Sequence, residues 1–254
     1  MYPDGIPEEV FSKGAPELGA VLAPVASNTL AWNDALSEIL KYSLLRRDPH
    51  ARILGIHHLV KAVLKQGMDE ATQRLWAERA VRAVDLALPN SEFSTWALCE
   101  RLLPQAQACA ELISQWNFEF PEATRLLNDA GLYLHERGRY TDAEPLYERA
   151  VAIREKTLGA EHPDVANSLN NMAALYSKQG QYAKAEPLFE RALAILERAL
   201  GPEHPNVMTC LGNHVILLLK MWRWKEAAQV IIRSRASIRA KRRLIRNPGD
   251  EPGR

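Results

Sequence analysis

The side chains here that could do chemistry are few, and their spacing says most about them. His57 and His58 are adjacent and could contact a nucleotide or share a metal. Neighbouring helix positions point about 100° apart, and no cysteine or histidine follows at ligand spacing, so a metal pair is disfavoured. His162 and His204 stand 42 residues apart, each in the same Glu-His-Pro loop text. Repetition of that kind points to loop geometry rather than to catalysis or metal. Cys99, Cys109 and Cys210 have no histidine close in sequence to activate a thiolate, and neither G-x-S-x-G nor H-E-x-x-H occurs. No catalytic residue, cofactor or metal site is therefore expected, and the chain is not expected to be an enzyme. Asn128 and Asn170 occupy the same place in repeated text, with Asn171 beside the second. An amide both donates and accepts, which is the chemistry that holds an extended peptide backbone.

The elements that position these residues follow from a period. Pro121, Pro163 and Pro205 are 42 residues apart, and 121–162 aligned on 163–204 gives 19 identities. Within a copy, Leu169, Met172, Ala173 and Tyr176 share one helical face, as do Ala185, Phe189, Ala192 and Ile195 in a second helix. Gly131 and Ala173, with Ala150 and Ala192, are small enough for close helix approach, and Tyr147 and Phe189 fill the space beside them. Gly138 and Gly180 suit the turn between the helices. Pro145 and Pro187 are expected near the start of the second helix, where a missing N–H costs least. The third copy departs: Trp222 replaces the turn glycine, His214 and Val215 the small pair, and Ser234 the late alanine. It reads as a terminal cap, with Trp222 and Trp224 suited to the cap core.

Composition sets the outer bounds. The 254 residues are 47% apolar and 25% charged, which excludes disorder and collagen, and the net charge of +1 implies no polyanionic partner for the whole molecule. Three cysteines without a C-x-x-C suit buried thiols in a reducing, cytoplasmic compartment. No apolar run is long enough to span a membrane, and the N-terminus lacks the basic, then apolar pattern of a signal peptide. Charge is polarised locally. Arg233, Arg235, Arg239, Lys241, Arg242, Arg243 and Arg246 occur without an acid among them, whereas residues 67–218 sum to about −7. A basic, solvated face at a helix C-terminus is the preferred reading, and nucleic acid is disfavoured because few aromatics interleave. Residues 1–66 balance seven acids with seven bases, which disfavours DNA there as well.

Residues 29–66 follow a different pattern. An amphipathic helix over Leu30 to Tyr42 precedes a short apolar run at 43–45, a turn at Arg47-Asp48-Pro49-His50, a second apolar run at 52–56 and a helix from about His57. Helix, hairpin, helix is the order of a winged-helix unit.

The repeated text resembles tetratricopeptide repeats of the 42-residue, kinesin-light-chain-like form. The resemblance rests on Leu169-Asn170-Asn171-Met172-Ala173, Gly180-x-Tyr182, Ala185-Glu186-Pro187-Leu188 and Gly201-Pro202-Glu203-His204-Pro205. It implies a groove in which Asn128, Asn170 and Asn171 contact a protein or peptide ligand, while Asp129 and Gly212 break the pattern. Tyr42 to Arg47 and Ile56-His57-His58-Leu59-Val60 resemble the winged-helix end of the NB-ARC module of STAND-class signalling ATPases. There a Met-His-Asp motif closes the nucleotide site, and the resemblance implies that His57 senses phosphate, with Ile56 and His58 departing from the motif. The text from Trp76 to Pro104 is similar to the connector before the repeats in bacterial STAND proteins.

The expected architecture is mainly all-α. It comprises a winged-helix-like unit (1–66), a helical connector (67–120), a repeat solenoid (121–162, 163–204 and a degenerate cap 205–246) and a flexible tail (247–254). No G-x-x-x-x-G-K-[ST] loop is present, so ATP hydrolysis would need a separate nucleotide-binding module. The expected role is a non-catalytic interaction scaffold, the sensor or regulatory arm of a STAND-type regulator. The alternatives are a standalone peptide-binding adapter and a winged-helix DNA-binding regulator.

Overall fold

The computed structural model describes residues 5–234. Of the basic run expected at 233–246, only Arg233 and Ser234 fall within them, and the expected tail at 247–254 lies outside. The chain divides into two compact units, one through Leu146 and one from Tyr147.

The first unit begins with β1 (Ile6–Pro7), α1 (Glu8–Gly14), a 3-10 turn (Ala15–Leu18), α2 (Gly19–Ser27) and α3 (Thr29–Leu40). The hairpin of β2 (Leu45–Asp48) and β3 (Ile53–Ile56) follows, then α4 (His58–Gln66). The sheet order is β1-β3-β2, both pairings antiparallel, with Ile6 opposite Leu54 and Arg47 also opposite Leu54. The hairpin therefore sits two to three residues later than the apolar run at 43–45 had placed its first strand. The turn closes where Asp48 accepts from the backbone N–H of His50 and Ala51 at 2.9 and 2.8 Å. A buried ion pair ties the hairpin to the helices. Glu8, 3% exposed, receives Arg47 Nε at 2.7 Å and Nη2 at 3.0 Å, while Arg47 Nη1 donates to Asn33 at 2.9 Å. The bond to Glu8 raises the Arg47 pKa and keeps it charged.

Helices α5 (Glu70–Ala87), α6 (Trp96–Trp116) and α7 (Pro121–Glu136) supply the rest of this core through Val81, Leu102, Ile113, Leu126 and Leu134, each at most 1% exposed. Asp85 of α5 is buried against Arg125 of α7, with Arg125 Nε donating at 2.9 Å. Burial is the largest influence on this carboxyl and raises its pKa despite the guanidinium. Gly14 lets α1 lie on α5, because a Cβ there would fall 2.5 Å from that of Ala83.

Helix α8 (Tyr140–Leu158) crosses the division between the units in sequence. The second unit continues with α9 (Pro163–Lys178), α10 (Tyr182–Leu200), α11 (Pro205–Lys220) and helix over 224–234. Its core is the face the periodicity defines: Leu169, Ala173 and Tyr176 from α9, Ala185, Phe189, Ala192 and Ile195 from α10, with Val207, Cys210 and Leu217 from α11. All three cysteines are free and buried. Two expectations need correction. Pro145 and Pro187 are not at a helix start but lie inside α8 and α10, five residues after the first helical position. Each leaves the carbonyl four residues earlier without its helical N–H. Trp222 and Trp224 are not cap core: they are 78% and 56% exposed, with their rings edge to face at 5.8 Å. The helix before them must end in a left-handed residue, and Trp222 adopts φ +59° where Gly138 and Gly180 adopt +75° and +76°.

A Cβ at position 180 would meet no atom of the described residues within 4 Å, so the cost of adding one is conformational. Gly180→Ala should lower the unfolding free energy by about 1 kcal/mol, read as a reduced urea midpoint at unchanged slope.

Candidate functional site

The expected groove residues fall in both units. Asn128 belongs to the first, part-buried on α7, where its Nδ2 donates to Asp129 at 3.1 Å. Asn170 and Asn171 belong to the second, on α9, where Asn170 Nδ2 lies 3.4 Å from Asn171 Oδ1.

Within the second unit these amides join a longer stripe. Asn213 of α11 donates to Asn170 Oδ1 at 3.1 Å, and Asn206 donates to Asn167 Oδ1 at 3.2 Å. A turn or two further on, Lys220 Nζ reaches Ser177 at 3.3 Å (Oγ) and 3.4 Å (carbonyl). The residues on α11 are seven apart, which returns them to one face, and 167, 170 and 177 do the same on α9. The sequence reading missed Asn167, Asn206 and Asn213. The signal was available in the seven-residue spacing of 206, 213 and 220. It was hidden because the repeat register sets Gly212, not Asn213, opposite Asn170. The four asparagines are neither fully buried nor fully exposed. Each interhelical bond fixes an amide plane while using only part of what an amide can donate and accept.

The histidines occupy helix starts. His162 Nδ1 accepts from Asp164 N–H at 3.1 Å and His204 Nδ1 from Asn206 N–H at 3.2 Å. Each is the N-cap before a proline at the first helical position. His57 caps α4 in the same way, its Nδ1 3.3 Å from Leu59 N. The His57 and His58 rings do not diverge as two mid-helix positions would, because only His58 is helical; their centroids are 4.3 Å apart. Both are exposed at the edge of a cavity of about 250 Å³ that Arg46 and Lys61 also line.

His214 is the buried exception, 4% exposed and stacked on Phe189. Burial lowers its pKa and favours the neutral ring. The thiols of Cys109 and Cys210 are pushed up to about 12 by burial, so neither is a nucleophile.

Residues 122–198 and 168–239 match the family model of the tetratricopeptide repeat, and residues 1–73 match that of a domain of unknown function (DUF7779). Similar solved structures include BtubC (BKLC) from P. vanneervenii, at TM-score 0.54 and 16% identity over 74% of this chain and 71% of that one. Two structures of kinesin-light-chain TPR-like repeats from Podosopora anserina give TM-scores of 0.52 and 0.51 at 19% and 20% identity. They cover 73% and 72% of this chain and 84% and 83% of theirs. At these identities the likeness is one of fold. No curated protein matches. The chain carries tetratricopeptide repeats in a helical-hairpin solenoid.

The cap geometry carries a direct test. His204→Ala should cost about 1 kcal/mol of stability while His204→Asn, which keeps an acceptor, retains most of it; chemical denaturation of the two variants separates them.

Proposed function

We propose that the chain is a non-catalytic interaction scaffold whose second unit binds an extended peptide along the amide stripe of α9 and α11. The observation that supports this is the pair of cross-helix bonds Asn167–Asn206 and Asn170–Asn213, which orient amides that no core contact requires. Tetratricopeptide repeats generally bind protein partners, in keeping with this reading. Asn171 belongs to the same surface, and Asn128 plays the equivalent part on α7. With few repeat units the contact area is small and the affinity modest, so binding gains from a second point of attachment. Buried free thiols on all three cysteines suit a reducing, cytoplasmic setting.

We place this scaffold as the regulatory arm of a STAND-type switch. Support comes from the order α3, β2–β3, α4, which is that of a winged-helix unit, and from His57 beside Arg46 and Lys61 at a cavity suited to an anion. Helix α4 buries none of its nine residues, and Leu59 and Val63 are 61% and 68% exposed, a stripe that a nucleotide-binding module would cover. His57 would then report on bound phosphate. A module with a phosphate-binding loop, encoded upstream, should co-purify with this chain and lose that association on Val63→Glu. Failure to associate leaves a standalone adapter.

Peptide binding is tested by screening a peptide array and measuring the best sequence in solution. Asn170→Ala and Asn213→Ala should each weaken binding about tenfold, one bond's worth near 1.4 kcal/mol, while loss of their shared interhelical bond lowers the melting temperature by only a few degrees. Wild-type affinity in both variants would remove the stripe from the site. Salt-sensitive binding of duplex DNA instead would favour the DNA-binding regulator.

A further inference from the structure

Helices α10 and α11 bring three metal-ligating side chains together. Glu186 and Glu190 lie one turn apart on α10, His214 comes from α11, and one ligand atom of each lies within 4.8 Å of the others. Acid pairs on a helix surface are common; the imidazole sets this group apart. It is only 4% exposed, and neither Nδ1 nor Nε2 has a hydrogen-bond partner among the described residues. A neutral ring has one donor and one acceptor, and burying both unpaired is costly unless a further ligand is engaged. Stacking on Phe189, at 6.1 Å and 20° between planes, fixes the ring.

The sequence shows that this combination is made once. The acids recur as Glu144 and Glu148 in the preceding copy, but the position of His214 is Met172 there and Ala130 before it. Repeat packing thus accepts a small or apolar residue at this place and does not require histidine.

We propose that Glu186, Glu190 and His214 form a zinc site that pins α11 of the last repeat to α10 of the repeat before it. One imidazole and two carboxylates are the three protein ligands of a tetrahedral ion whose fourth position is left to water. Arms of roughly 2.0–2.1 Å demand ligand separations near 3.3 Å, so the group must contract by up to about 1.5 Å on binding. Glu190 is exposed and reaches inward by a rotamer change. Arg223 is the competitor. Its Nη1 lies 2.7 and 2.6 Å from the two oxygens of Glu186, and its Nε 2.6 Å from Glu226. The ion displaces the guanidinium from Glu186, and Glu226 still holds it.

The test titrates the full chain with Zn²⁺ against a chromophoric chelator and repeats the titration with Co²⁺, whose visible absorption reports a four-coordinate site. The expected result is one equivalent bound, with a melting temperature that rises with Zn²⁺. Glu190→Gln, at an exposed position that leaves the metal-free fold intact, should weaken binding tenfold or more, as should His214→Phe, while Arg223→Met tightens it. Absence of saturable binding would overturn the proposal. So would binding that survives Glu190→Gln but is lost in His58→Ala, which would put the ion on the exposed histidine pair.

Discussion

The second unit depends on close approach between helices. A single helical hairpin leaves an apolar stripe uncovered, and the stripe is buried only when the next helix comes near enough to cover it. Ala173, Ala185 and Ala192, all at 0% exposure, permit that distance, and Phe189 at 1% fills the space they leave. A larger side chain at any of the three would separate the helices and open voids along the whole interface. Every other feature of the unit is set by this spacing. The amides of α9 and α11 meet because their backbones are near, and Glu186, Glu190 and His214 converge for the same reason.

The repeats were legible because their text recurs, so each apolar position is read twice and the turn glycines stand in register. Other features depended on departures from that register. Asn213 bonds Asn170 although the repeat aligns it with Asn171, a one-residue offset no alignment of copies reveals. Trp222 takes the conformation of the glycines it replaces, yet its side chain is left outside, because the turn fixes the backbone there and the ring is free to follow solvent. Pro145 and Pro187 misled in position because helix starts are set by Tyr140 and Tyr182, two residues after the turn glycines.

The first unit was less legible, and the reason is contact range. The hairpin was visible in its turn residues, but β1, α1 and α2 went unread because nothing local marks them. They are held by distant partners: Gln105 donates to the Gly5 carbonyl at 2.7 Å across 100 residues, and Arg101 meets Glu9 at 3.2 Å across 92. A buried Glu8 looks, in sequence, like any acid at a helix start, and it is the guanidinium of Arg47, with Arg52 at 4.0 Å, that explains it. The histidine caps belong to the legible side in part: the recurrence of His162 and His204 pointed to the loop, and the structure supplies the accepting nitrogen.

The central claim is that the polar stripe of α9 and α11 is where a partner lies. Hydrogen–deuterium exchange on the chain with and without a bound peptide addresses it directly. The account predicts slowed exchange in the segments carrying Asn167 to Asn171 and Asn206 to Asn213, with α10 unchanged. Protection confined to α10, or to the first unit, would contradict it.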